Sequence, residues 1–360
     1  MRSFHGRFPP VSVPAGYRLG LMLVLLLLLA NVAVYLGLIA VVSWFMVHGV
    51  GALQDGYLSG RGTVYMGLAL MGGVVLLYFL LRPLPLIFRR RPSPGIPVVR
   101  SAEPDIYAFV TTIAGLVDAP MPERIMVDCN VNASASLASF FGGRLVLRLG
   151  LPLAGGLDCR QLAGIVAHEL GHFAQGAGMR TTWLVRRVEY ALELAILDLD
   201  RIARSNSRAW PLRVGLLLPR FVLGLSVRGS RAMLRHMERD ADRYEARVAG
   251  SETFAKTAVR LAELDQAQAS LGPVRSGDVV ARTLAAWREL TPAERQHARR
   301  RVQSGETRWQ DTHPSDAERI ALAKGEQAPG VYRCEAPATV LFRDFGRLCK
   351  AATRDLATDG

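Results

Sequence analysis

The sequence predicts a mainly helical α+β chain, with a pair of apolar N-terminal helices followed by a helical domain that encloses a small β-sheet. Three observations carry this. No charged residue lies between Leu19 and Gln54, or between Thr63 and Leu81. The run Leu162-Ala163-Gly164-Ile165-Val166-Ala167-His168-Glu169-Leu170-Gly171-His172-Phe173-Ala174 is apolar and helix-forming. Arg144 to Leu149 alternates as Arg-Leu-Val-Leu-Arg-Leu, the period of a strand with one buried face.

The two uncharged runs come first. Leu23 to Ala30 is nearly pure leucine, and Thr63 to Leu81 covers 19 residues, close at ~1.5 Å per residue to the ~30 Å hydrocarbon thickness of a bilayer. Both are transmembrane candidates, spanning about 19–46 and 63–81. The first is too long for the apolar core of a cleaved signal peptide, and a second span follows at once. Arg2, Arg7 and Arg18 precede the hairpin and Arg82, Arg89, Arg90 and Arg91 follow it, whereas the connection carries only Arg61 against Asp55. Positive-inside asymmetry puts both ends, the 1–18 segment and everything after Leu81, in the cytoplasm of an inner or plasma membrane. Residues 82–99, rich in proline and arginine, read as a linker and domain boundary.

Beyond the linker, Glu103 to Asp118 reads as a helix and Arg124 to Val131 as a strand. Asp158 is an N-cap for the helix that follows, with Gln161 three residues on as in a capping box; Gly176 and Gly178 supply a break at its end. Trp183 to Ile202 reads as an amphipathic helix. Pro211 to Val227, interrupted by Arg213, Pro219 and Arg220, reads as an interfacial or core helix, with a third membrane segment as the alternative. Leu341 to Leu356 forms a terminal amphipathic helix within a 329–360 extension.

Composition narrows the partners. The 360 residues carry a formal net charge of +13, nearly all of it from arginine. Those arginines are dispersed among acidic residues after Arg100, with no aromatic-interleaved basic tract, which argues against nucleic acid. Cys129, Cys159, Cys334 and Cys349 show no Cys-x-x-Cys spacing, so a cysteine metal site is not indicated, and four scattered thiols suit a reducing compartment.

His168-Glu169-Leu170-Gly171-His172 is the pattern with chemical content. Residues four apart share a helix face, so both imidazoles can point at one metal ion while Glu169 reaches a water beside it. A catalytic zinc site takes three protein ligands and keeps one position open. The class whose third His stands six residues past the second, with a Gly midway, is excluded, because Gln175 and Gly178 occupy those places. That leaves a downstream carboxylate. Met237-Glu238-Arg239-Asp240-Ala241-Asp242-Arg243-Tyr244-Glu245 supplies candidates, with Asp240 and Glu245 as rivals to Glu238. Glu238 and Asp242, four apart, allow the first to bind metal and the second to orient a ligating His through its free ring nitrogen. His236, two positions along, points elsewhere.

His-Glu-Leu-Gly-His followed 66 residues later by Glu-x-x-Ala-Asp resembles the HtpX-like zinc metallopeptidases, which share metallopeptidase family forty-eight with the CAAX prenyl endopeptidases. The likeness extends over roughly Arg124 to Leu322. Asn132-Ala133-Ser134-Ala135 matches the family's Asn-Ala-x-Ala segment, and His313-Pro314 with Arg319-Ile320 matches its His-Pro…Arg-Ile element. The resemblance implies a gluzincin-type metalloprotease domain over 100–328, with a small sheet beside the motif helix. One Zn2+ per chain would be held by His168, His172 and Glu238. Glu169 would be the general base and His313 a transition-state-stabilising group, with Asp242, Arg319 and Asn132 supporting the site or positioning substrate. Two departures stand out. Glu245 occupies a place the family usually gives to a small residue, and is expected to leave the ligands untouched. The stretch between the motif helix and Glu238 also lacks the two clean hydrophobic spans of HtpX itself.

These readings imply polypeptide substrates and a lipid bilayer as partners, and a role in membrane protein quality control. Prenyl-protein processing fits less well, since it is associated with a many-span chamber. An extended peptide would add to the edge of the Arg144 to Leu149 strand. The competing reading is an inactive, chaperone-like membrane scaffold with a vestigial zinc site; the intact Glu169 argues against it, because a vestigial site has no use for a base.

Overall fold

In the computed structural model the described residues are 15–56, 59–81, 85, 95–137, 144–174, 197, 200–201, 217–272, 277–307 and 314–358. They fall into two compact units, one holding Pro14–Arg91 with Arg180–Met233, the other Pro92–Met179 with Leu234–Gly360 and the first residues of the chain. Gln175 to Gly178, His313, most of Trp183–Ile202 and the start of Pro211–Val227 lie outside the described residues.

In the first unit, helix α1 spans Ala15–Gln54 and α2 spans Arg61–Leu81. Both are long and apolar enough to cross a membrane. At 40 residues α1 is about 60 Å long, roughly twice the hydrocarbon thickness. Small residues let the pair approach: a Cβ on Gly49 would lie 2.9 Å from Leu70 Cδ2, and one on Gly73 would run into Met46 Sδ. The outward faces leave Leu26, Val47, Met71 and Tyr78 exposed, which suits lipid contact far better than water.

The second unit is built on a four-stranded mixed sheet. Its strands are β1 (Ile96–Pro97), β2 (Arg124–Asp128), β3 (Ala133–Leu137) and β4 (Leu145–Gly150). Their order is β1-β2-β4-β3, with β2 and β4 parallel and the outer pairs antiparallel. β2 stops at Asp128 because the Asp128 carboxylate takes the Asn130 N–H and turns the chain. The expected peptide-binding edge is corrected here. The Arg144 to Leu149 strand is internal, flanked by β2 and β3, and the edges of the sheet are β1 and β3. β3 reads Ala-Ser-Ala-Ser-Leu, with neither β-branched nor aromatic residues to announce a strand.

Helix α3 (Pro104–Leu116) starts with proline in its first turn and buries Ile106, Phe109, Val110 and Ile113. A short α4 (Leu151–Gly156) leads into α5 (Cys159–Ala174), the motif helix. Its start is the anticipated capping box: the Gln161 N–H donates to Asp158 Oδ1 at 2.8 Å and the Asp158 N–H to Gln161 Oε1 at 3.2 Å. α5 packs against α3 and β3, with Leu162, Val166 and Leu170 fully buried alongside Leu145, Leu147 and Leu149 of β4.

Helix α6 (Leu217–Ala249) carries the candidate acids and is followed by α7 (Ser251–Ser270), α8 (Val279–Glu289), α9 (Pro292–Ser304) and α10 (Asp316–Gly325). The Ser315 side chain caps α10 by accepting the Glu318 N–H, without the reciprocal bond of a full capping box. Thr307 Oγ1 accepts the Ser315 N–H and donates to Glu318 instead.

The segment from Pro329 onward is no appendage. A 3-10 turn (Ala338–Leu341) and helix α11 (Phe345–Thr358) put Tyr332, Ala338, Phe342, Cys349 and Ala352 into the main core. Buried Glu103 accepts the Arg343 N–H at 2.6 Å, and Asp355 accepts the Gly95 N–H at 2.7 Å.

Glycine lets α5 approach α6 closely. Gly164 and Gly171, two turns apart, face α6. A Cβ on Gly164 would lie 2.9 Å from Ala249 Cβ, and one on Gly171 2.7 Å from Tyr244 Cδ2. Replacing Gly171 by Ala should gain about 1 kcal/mol of helix propensity yet lower stability, because overpacking a filled contact costs roughly 1–3 kcal/mol. A reduced melting temperature in the solubilised full chain is expected; an unchanged or raised one would mean the helices are not in such contact.

Candidate metal centre

Close packing of α5 on α6 brings three donor groups to one point. His168 and His172 lie one turn apart on α5, their rings 4.9 Å between centroids and nearly perpendicular. Glu238 on α6 reaches both: Oε2 is 3.4 Å from His168 Nε2 and Oε1 is 3.7 Å from His172 Nε2. One donor atom from each of the three lies within 4.8 Å of the others. Around a tetrahedral zinc with bonds near 2.0–2.1 Å, ligand atoms stand roughly 3.3 Å apart, so these spacings suit such an ion with little movement.

Behind the donors stands a carboxylate and an arginine. Asp242 Oδ1 is 3.1 Å from His168 Nδ1, although that nitrogen makes no aligned hydrogen bond. Arg319 on α10 grips Asp242 with a fork, Nη2 to Oδ1 at 2.6 Å and Nε to Oδ2 at 2.9 Å. Ion pairs bolt α10 to α6 on either side of that fork: Arg239 to Glu318 at 2.6 Å, and Arg243 and Arg247 both to Glu326, at 2.7 and 2.9 Å.

The electrostatics are those of a cation site. Glu238 and Asp242 are each only 3% exposed, and Glu245 is buried beside them. Burial opposes charge on all of these groups. For Asp242 it is outweighed by the Arg319 guanidinium and by His168, which hold the carboxyl below its ordinary range. Burial works against the His168 imidazolium as well, but Asp242 and Glu238 overcome it and raise the ring well above its usual value. For Glu245 burial wins and pushes the acid up to about 7. Several buried acids around two imidazoles, with Arg319 as the fixed countercharge, are an arrangement that a divalent ion completes.

Glu169, following the first His, is placed by the sheet. Its Oε2 accepts the Ala135 N–H of β3 at 2.9 Å. In an antiparallel strand alternate residues turn their backbone groups to the same edge. The outward groups of Ala133 and Leu137 therefore leave β3 on the side that faces Glu169. Asn132 stands just before the strand, with its carbonyl accepting the Gly150 N–H at 2.8 Å and its side chain exposed.

Of the site residues named from sequence, His168, His172, Glu238, Asp242, Arg319 and Glu169 converge. Asn132 lies at the head of the edge strand, and His313 falls outside the described residues. Glu245 is corrected: its Oε2 lies 3.7 Å from His168 Nδ1, so it touches a candidate ligand. The spacing 238, 242, 245 is one helix face, a signal the sequence did contain. The Ala135 N–H had no signal, because any residue except proline supplies it.

Residues 100–327 match the model of Peptidase family M48. The chain belongs to that family. The match covers strands β2 to β4, the motif helix, α6 and α10, so the M48 region includes every group of the candidate centre, and the chain is accordingly a metallopeptidase. No curated protein and no solved structure matches the chain.

Removing Arg319 leaves Asp242 buried without its cation, and the Arg319→Ala chain should lose about 3 kcal/mol or more. The sign with pH follows from the depressed Asp242 carboxyl. Its contribution is complete above the ordinary carboxylate range and is lost as pH falls through the lowered value. In zinc-free Arg319→Ala the carboxyl is no longer held down, so less stability should be lost on the acid side and the fall in denaturation midpoint with acidification should be shallower. Superimposable acid limbs for the two proteins would contradict the pairing.

Proposed function

We propose that the chain is a membrane-anchored, zinc-dependent endopeptidase of the HtpX-like kind, its catalytic unit facing the cytoplasm, acting in membrane protein quality control. The observation that carries the reading is the convergence of His168, His172 and Glu238 with Glu169 aimed alongside by the edge strand.

His168, His172 and Glu238 would hold one zinc ion; when bound it supplies a Lewis acid and lowers the pKa of a water from ~15.7 towards ~7. Glu169 receives the proton released in the attack on the scissile carbonyl and later delivers it to the leaving amine. A substrate in extended form pairs with the outward backbone groups of Ala133 and Leu137, on either side of the Ala135 N–H that Glu169 occupies, which holds the scissile bond beside Glu169 with little demand on side-chain identity. That suits the processing of unfolded chains. Asp242, fixed by Arg319, orients the His168 ring through Nδ1. Glu245, against the same nitrogen, adds a second acid there. His313 is assigned to the developing oxyanion on the family pattern. The two apolar helices support membrane anchoring, and arginine asymmetry around them supports the cytoplasmic orientation.

Glu169→Gln should keep stoichiometric zinc and lose proteolysis of unfolded casein by at least about a hundredfold, within the range of general-base catalysis. Retained activity in a clean preparation would overturn the assignment. His168→Ala and His172→Ala should lose the metal, and full zinc occupancy by elemental analysis would contradict the ligand set. Because His168 holds its proton above the usual imidazole range, zinc binding at neutral pH should displace one. Calorimetry in buffers of different ionisation enthalpy reads this, and identical heats would count against it.

A further inference from the structure

The outer face of α11 carries a row of cations that the metallopeptidase chemistry does not use. Arg347, Lys350 and Arg354 are spaced three and four apart and so share one face, with Arg343 just before the helix; all four are exposed. The opposite face, Cys349 and Ala352 with Leu348, is packed into the core. Several arginines elsewhere in the unit are neutralised by carboxylates, Arg239, Arg243, Arg247, Arg295 and Arg319 among them. Among the described residues, none of the four α11 cations has a carboxylate partner. The two nearby acids in sequence are engaged otherwise, Asp344 accepting the Arg347 N–H at 2.9 Å and Asp355 the Gly95 N–H at 2.7 Å.

The Gly95 bond bears on what the stripe meets. Gly95 begins the unit's described chain, and the residue before the linker is Leu81, the end of α2. Thirteen residues, 82–94, join them, a reach of at most about 45 Å. α11 is thus the helix that holds the entry point of the tether. Resting on the reading that α1 and α2 span a bilayer, we propose that the Arg343, Arg347, Lys350 and Arg354 face of α11 docks on anionic lipid headgroups of that same bilayer. Docking would hold the catalytic unit against the surface from which membrane-derived substrates emerge. Each cation near an anionic surface changes the docked-to-free ratio roughly fivefold.

The chain contains three lysines, Lys256, Lys324 and Lys350, all exposed, so two of them serve as internal references. The full chain is reconstituted in phosphatidylcholine vesicles with or without about 30% phosphatidylserine. A water-soluble acetylating reagent is added, and modification of each lysine is followed by mass spectrometry. Anionic lipid should slow Lys350 roughly tenfold relative to Lys256 and Lys324, and about 0.5 M salt should restore it. Arg347→Gln with Arg354→Gln, at unchanged zinc content, should also restore it. An unchanged Lys350 rate, or equal slowing of all three lysines, would overturn the proposal. So would protection of Lys350 by an oligonucleotide where anionic lipid gives none, which would assign the stripe to nucleic acid. If the chain fails to float with phosphatidylcholine vesicles, the anchor reading falls and takes this proposal with it. If it floats and Lys350 keeps its rate, the docking proposal alone falls.

Discussion

Everything at the candidate centre depends on how near helix α5 can come to helix α6. The two imidazoles belong to one and the carboxylate to the other, and side chains of fixed length reach a shared point only if the backbones are close. Gly164 and Gly171 remove the Cβ atoms that would otherwise meet Ala249 and Tyr244. The Gly inside the His-Glu-x-x-His motif therefore has a packing reason independent of chemistry. The capping box at Asp158 and Gln161 sets where α5 begins, and so the rotation at which its face meets α6.

Close packing also creates an electrostatic problem. It buries Glu238, Asp242 and Glu245 together, which costs far more than any apolar contact recovers unless the charge is balanced. Arg319 balances one carboxylate, and α10 is pinned so firmly to α6 that the guanidinium has little freedom to leave. Glu245 yields by taking a proton near pH 7. The rest of the negative charge faces the imidazoles, where a divalent ion would lower the energy of the whole cluster. On the proposed reading, stability and function are coupled through the metal.

Much of this was legible in the chain because it is local. The motif spacing, the Glu238 to Asp242 turn, the capping box and the two apolar runs each sit within one helix and obey one period. What escaped was non-local or backbone-borne. β3 is a strand because β4 pairs with it, not because Ala-Ser-Ala-Ser prefers to be extended, and its N–H to Glu169 leaves no trace in residue identity. The terminal segment looked separable because its partners, Gly95 and Glu103, lie some 240 to 260 residues away. Glu245 was misjudged for another reason: its register on the Glu238 face was available, but its effect depends on a burial that only the packing of α5 reveals.

The central claim is that two imidazoles from α5 and one carboxylate from α6 meet at a single ion. X-ray absorption at the zinc edge of the purified full chain tests it most directly. The account predicts two imidazole nitrogens and carboxylate oxygen near 2.0–2.1 Å with no sulfur, and loss of that spectrum on Glu238→Ala. Sulfur scattering near 2.3 Å from any of the four cysteines, or a spectrum indifferent to Glu238, would contradict it.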